Sequence, residues 1–217
     1  MGRAKIKRGS TNIDMTAMCD VAFLLLSFFI LTTKFKPAEA IQVSPPSSVS
    51  SKAAPQKDAF TVSINPQGLV FIDMTDEMKK DVLEHLANAR NIQFSEDDKK
   101  YFQNATFIGS PITQLNQFTR IAPEDLKKTK LPGVPVDSTN NELQAWIAAA
   151  IDVYSTKNVK LSFLIKGDNN SKYPAFKGVI DAFKKNDIYK YQLITNPEDV
   201  PKGSELDKLN DSKKGGA

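Results

Sequence analysis

The sequence holds one cysteine and one histidine among 217 residues. A single cysteine, Cys19, excludes an intrachain disulfide and a thiolate metal cluster. A single histidine, His85, has no second histidine or cysteine with which to build a metal centre or a catalytic triad, and is expected as an ordinary surface or boundary residue. There is no nucleophile–base constellation, no phosphate-binding loop and no metal-ligand spacing. No catalytic role, no metal and no cofactor is therefore expected. The net charge is only +4, and basic residues alternate with acidic ones everywhere except at the extreme N-terminus, which gives no ground for nucleic acid as a partner. Long apolar runs are also scarce, and the chain has one.

That run organises the rest. Val21 to Thr33 carries no charge and is dense in Phe, Leu and Ile. It is preceded by Arg3, Lys5, Lys7 and Arg8, and by Asp20 at its edge. A membrane-spanning helix needs roughly 17–25 residues at about 1.5 Å each, so the span must extend back to Met15 or Thr16 and take Asp20 inside. We expect residues 1–14 in the cytoplasm by the positive-inside tendency, a transmembrane helix over 15–34, and everything later outside the cytoplasmic membrane. Lys34 and Lys36 on the far side soften the charge contrast.

An acid inside the apolar layer costs on the order of 2.5–3.5 kcal/mol at a helix centre and less near an end. A plain anchor has no need of it. Burial penalises the charged form of a carboxyl, so a group that alternates between neutral and charged in a membrane is able to carry a proton. Thr16 and Ser27 stand four residues before and seven after Asp20. The three share a polar face that should meet protein or water, with the apolar remainder toward lipid. Two other readings stand beside this. Asp20 can serve the positive end of the helix dipole or mark the headgroup boundary. The whole stretch also resembles a cleaved signal peptide with Ala38–Ala40 as its cleavage motif, against which stand Asp14 and Asp20 in the basic region and Lys34 and Lys36 after the run.

Residues 35–58 are rich in Pro, Ser and Ala without apolar periodicity, and read as a flexible linker, partly extended at Pro45, Pro46 and Pro55. A folded domain is expected over 59–197. Phe60–Ile64 alternates as a strand, Asn65–Gly68 is a turn, and Leu69–Ile72 returns. Thr75 is placed to cap a helix over 76–90 with Met78, Val82, Leu86 and Ala89 on one face. About 92–138 looks like an insertion of irregular structure, with a helix start at Ser95 and then scattered Pro and Gly. Thr139–Glu142 matches a capping box for a helix to about Ser155, whose buried stripe is Leu143, Ile147, Ala150, Ile151 and Tyr154 beside Trp146. Val159–Lys166 and Tyr189–Thr195 read as strands around a helix from Pro174 to about Asn186 marked by Phe176, Val179, Ile180 and Phe183. Strand, helix and strand of these lengths imply parallel neighbours. The fold class expected is α+β: a single N-terminal transmembrane helix, a flexible linker, and a small α+β domain with a helix-covered sheet. Residues 198–217 are expected as a mobile tail.

Two stretches carry a resemblance. Ile13-Asp14-Met15-Thr16-Ala17-Met18-Cys19-Asp20-Val21, followed by the apolar run, resembles the start of the ExbD/TolR family of biopolymer transport proteins, with Ala17 where that family usually has proline. Leu164-Ile165-Lys166-Gly167-Asp168, then Tyr173, the Phe176–Phe183 helix and the Tyr191–Thr195 strand, is similar to the last strand–loop–helix–strand of its periplasmic domains. The resemblance implies an inner-membrane subunit driven by the proton motive force, with its domain in the periplasm and Asp20 as the proton-carrying residue. It also implies a homodimer, ExbB/TolQ-like ring subunits around its helices, and a TonB-like or TolA-like periplasmic partner. The alternative is a membrane-anchored binding or structural protein in which Asp20 does no work.

Overall fold

The computed structural model describes residues 15–32, 41–49, 52–55, 57–118, 120–121, 125 and 129–208. The expected cytoplasmic segment 1–14, the last two residues of the expected span, the first residues of the expected linker and the end of the expected tail lie outside the described residues. The chain divides into two compact units, Met1–Ala38 and Glu39–Ala217.

The first unit contributes one helix, α1 (Thr16–Thr32), of 17 residues. At about 1.5 Å per residue it is roughly 26 Å long, shorter than a hydrocarbon core of about 30 Å. No helix among the described residues is long and apolar enough to cross a membrane. Of the expected span of 15–34, residues 16–32 are helical and 33–34 lie outside the described residues.

The second unit is mixed α+β, as expected. Residues 47–48 form β1, followed by β2 (Ala59–Ile64) and β3 (Val70–Met74). The helices α2 (Asp76–Arg90), α3 (Glu96–Asn104) and α4 (Leu115–Phe118) come next. Then follow α5 (Leu143–Thr156), β4 (Ser162–Gly167), α6 (Tyr173–Lys185), β5 (Gln192–Leu193) and β6 (Asn196–Pro197). The main sheet runs in the order β3-β2-β4-β5, and β1 pairs with β6 apart from it.

The hairpin β2–β3 is antiparallel with Val62 opposite Ile72. Its turn closes because Gly68 takes a positive φ of 84° and donates its N–H to the Asn65 carbonyl at 2.9 Å, a backbone conformation that favours glycine. β4 lies parallel to β2, with Phe60 beside Phe163 and Val62 beside Ile165, and β5 lies parallel to β4. Parallel pairing across α6 is what the strand–helix–strand spacing predicts. Phe60, Val62 and Ile64 are fully buried while their β2 neighbours are half-exposed, so the alternation read in the sequence faces the core.

Four expectations change. The region 92–138, expected as an irregular insertion, sends described residues into the core. Phe102, Phe107, Ile108, Ile112, Leu115, Phe118 and Val134 are all in the core. Phe102 stacks on Trp146 with ring centroids 5.9 Å apart, and Ile72 and Ile108 bond each other's backbones beyond β3. The capping box at Thr139–Glu142 does not form, because the Glu142 carboxylate accepts the Ile112 N–H at 2.6 Å instead of serving its own helix. Ala89 is exposed, and Lys79 takes a buried place on α2 beside Val82 and Leu83. The strand expected at Val159 begins only at Ser162, since the residues before it close α5: Asn158 is left-handed and Val159 donates to the Tyr154 carbonyl. By contrast Ser95 caps α3 with the reciprocal bonds to Asp98 that its sequence suggests.

Candidate functional site

The helix α1 holds Thr16, Asp20 and Ser27 at spacings of four and seven residues. At about 100° per residue these lie within roughly 40° of arc, so one face is polar. Asp20 is the single charged residue of the helix. It is exposed, whereas Ser27 is half-buried and donates its hydroxyl to the Leu24 carbonyl at 2.9 Å. Around them Phe23, Leu24, Phe28, Ile30 and Leu31 are all more than half exposed. A helix that is apolar nearly all round is ordinarily covered by a protein interior or by lipid. The polar groups that α1 offers are the Asp20 carboxylate and, on the same face, the hydroxyls of Thr16 and Ser27.

In the folded unit, the residues singled out at the end of β4 are placed differently from one another. Lys166 is half-buried in the strand, and Tyr173 opens α6 with its ring exposed. Asp168 is buried, and its carboxylate accepts two backbone N–H groups, from Asn170 at 2.8 Å and from Ser44 at 2.7 Å. The first bond is a local turn that the Asp-Asn-Asn sequence suggests. The second reaches back to a residue expected in the linker, and nothing in the local pattern announces it. Beside the start of α6 runs an open groove of about 890 Å³ lined by Asp137, Asn141, Lys172, Lys177 and Lys184 among others. Its charges are mixed and it contains no nucleophile with a base.

A second cluster was not legible in the sequence. Lys79 is 1% exposed, yet its ammonium donates to Asp76 at 2.6 Å and to the Ala105 carbonyl at 2.6 Å, with Asp73 at 3.4 Å. Desolvation pushes the Asp73 carboxyl above its ordinary range, and the Lys79 charge only partly opposes it. This cluster ties β3, α2 and the end of α3 together beside a groove of about 860 Å³ lined by Thr61, Thr106 and Leu164. His85 is a surface residue, 3.6 Å from Asp152.

Two comparisons bear on this arrangement. The model of the family described as "Biopolymer transport protein ExbD/TolR" matches residues 7–198, so the match includes α1, the region 92–138 and the last strands. "Biopolymer transport protein exbD2" of Vibrio cholerae serotype O1 is 32% identical over 89 residues, which cover 40% of this chain and 66% of that protein. The similarity thus spans just under two thirds of that relative's length. No solved structure matches.

Proposed function

This chain belongs to the ExbD/TolR family of biopolymer transport proteins, and from that premise we propose that it is a subunit of a membrane complex driven by the proton motive force. The observation that carries the proposal is α1. It exposes apolar side chains on nearly every side and carries one carboxylate, Asp20, in line with Thr16 and Ser27. In this reading α1 lies in the inner membrane with its N-terminus toward the cytoplasm. The folded unit stands in the periplasm.

The mechanism follows from charge. An ionised Asp20 is excluded from lipid and must face water or polar groups of surrounding subunits. Protonation removes that charge and lets the helix take a different angular position, and release of the proton restores the first. Moving one elementary charge through 100 mV is worth about 2.3 kcal/mol, enough to bias such a step by more than tenfold. ExbB/TolQ-like subunits would surround α1, a second copy of the chain would pair with it, and a TonB-like or TolA-like partner would receive the motion. The carboxylate with two hydroxyls is too small a set near one helix end for a dedicated sodium site, which favours the proton.

The alternative, a static anchor bearing a binding domain, predicts that Asp20 is dispensable. The test is complementation with Asp20→Asn, with membrane abundance checked by immunoblot and resistance to alkaline extraction. Growth that depends on outer-membrane uptake and resistance to detergent are the readouts. Normal insertion with loss of either phenotype supports the motor, and the phenotype that fails identifies the system. Full function of the variant in both assays sinks it.

A further inference from the structure

The groove of about 890 Å³ beside α6 is bounded by the β2–β3 turn at Gln67 and Gly68, by residues 136–138 and by the start of α5. Lys172, Lys177, Lys184 and Lys185 line it, together with the carboxylates of Asp137 and Asp181. All four lysines are exposed. The lysines of α2 and α3 are ion-paired: Lys79 with Asp76, Lys80 with Glu96, Lys99 with Glu84 and Lys100 with Asp97. Among the described residues the four groove lysines form no such pair. Asn141 supplies a second, independent observation. Its side-chain N–H is spent on the Gly178 carbonyl at 2.8 Å, which fixes the orientation of the amide. That leaves Oδ1 buried and without a partner among the described residues, on a side chain that lines the groove. A buried acceptor left unpaired is costly, so this place asks for an N–H.

We propose that this groove is a docking site for an extended acidic segment of a partner protein, whose carboxylates meet the groove lysines and whose backbone donates an N–H to Asn141. Charge selects the sign of the partner. Four ammonium groups stand against two carboxylates, and complementary potentials steer and orient association. Length selects an extended chain. The 13 residues of α6 span about 20 Å at about 1.5 Å each. Lys177 and Lys184 share a face of α6 with Asp181 between them, about 10 Å apart along the axis. Three residues of an extended strand cover the same distance at about 3.3 Å each. Acidic residues three apart thus meet the two lysines, while the neutral residues between them pass Asp181. Tyr173, 72% exposed at the start of α6, offers its ring to the same chain. A carboxylated polysaccharide matches the charge but brings no amide N–H for Asn141, whereas every peptide unit does. The groove lies within the folded unit, so this assignment does not depend on the membrane reading of α1.

The experiment uses the full chain in detergent micelles. The probe is a fluorescein-labelled peptide of about seven residues, with Glu at every third position and Ser between, followed by fluorescence anisotropy. Saturable binding is expected, and Lys177→Glu with Lys184→Glu should weaken it about tenfold or more. Lys190→Glu with Lys202→Glu changes the net charge equally outside the groove, and should leave binding within about twofold. All four side chains are exposed, so the reversals leave the core intact. The same peptide N-methylated at every amide keeps its charges but has no donors, and should bind about threefold weaker or more. Absence of saturable binding overturns the proposal. An equal loss in the two double variants also overturns it, by reducing the effect to net charge. Equal binding of the N-methylated peptide, or of polygalacturonate, makes the groove a general polyanion surface and overturns the choice of a peptide. Binding is read without proton flux, so its failure leaves the Asp20 reading standing, and full function of Asp20→Asn leaves the groove standing.

Discussion

Single residues set the limits of this fold at sites where no substitute fits. Gly178 lies on the face of α6 pressed by the segment around Val136, and a Cβ built there would run into the Val136 carbonyl oxygen. The Gly178 carbonyl also accepts the Asn141 side-chain amide at 2.8 Å. Gly178→Ala is expected to destabilise the folded unit by about 2–3 kcal/mol, because the obstacle is backbone and cannot rotate away. Urea denaturation measures it, and an unchanged midpoint would contradict the contact. Asp73 yields a pH prediction. Its folded-state value lies above the ordinary one because desolvation outweighs Lys79. The folded state therefore holds the Asp73 proton more tightly than the unfolded chain does. That contribution is fully present below an unfolded value of about 3.9 and is lost as pH rises through the folded one. The wild type should accordingly lose stability relative to Asp73→Asn as pH rises above about 4. A relative gain would mean that the Lys79 pair dominates.

At the scale of elements, the instructive case is the region 92–138. The hairpin β2–β3 and the helices α2, α3 and α6 were legible because each is decided locally: by alternation, by Ser95 with Asp98, by Pro174 at the start of α6. Phe107, Ile108, Ile112 and Phe118 follow no period, and Pro and Gly among them read as loop. Their partners are distant: Phe107 meets Phe71, and Phe118 meets Phe102, which lies on Trp146. Sequence periodicity is blind to such pairing. Phe118→Ala should cost about 3–5 kcal/mol, a core value, where a loop residue would cost almost nothing. The Glu142 bond to Ile112 fastens this region to α5. Glu142→Ala should cost about 1.5–3 kcal/mol and Glu142→Gln distinctly less, since the amide oxygen still accepts. Equal losses would indicate that the charge, not the acceptor, holds the turn. The seating of residues 41–49 on the folded unit was not legible for a related reason. A Pro- and Ser-rich stretch looks the same whether free or seated, and the deciding partner, Asp168, belongs to another part of the chain.

On the scale of the whole molecule, two units of different character are joined in one chain. Among the described residues the first exposes apolar side chains and one carboxylate, and the second buries its apolar side chains around a four-stranded sheet. Such a division suits the proposed subunit, in which one unit would sense an ion gradient and the other would act. Of the candidate site, the α1 face was legible in the sequence, because Thr16, Asp20 and Ser27 are related by helical spacing alone. The proposed proton carriage by Asp20 is tested most directly by proton flux across energised membrane vesicles containing the full chain co-expressed with the proposed ring-forming subunit, comparing the wild type with Asp20→Asn at equal abundance. The expected result is a flux in the wild type that falls to the level of vesicles lacking the complex in Asp20→Asn. A flux equal in the two proteins would contradict it.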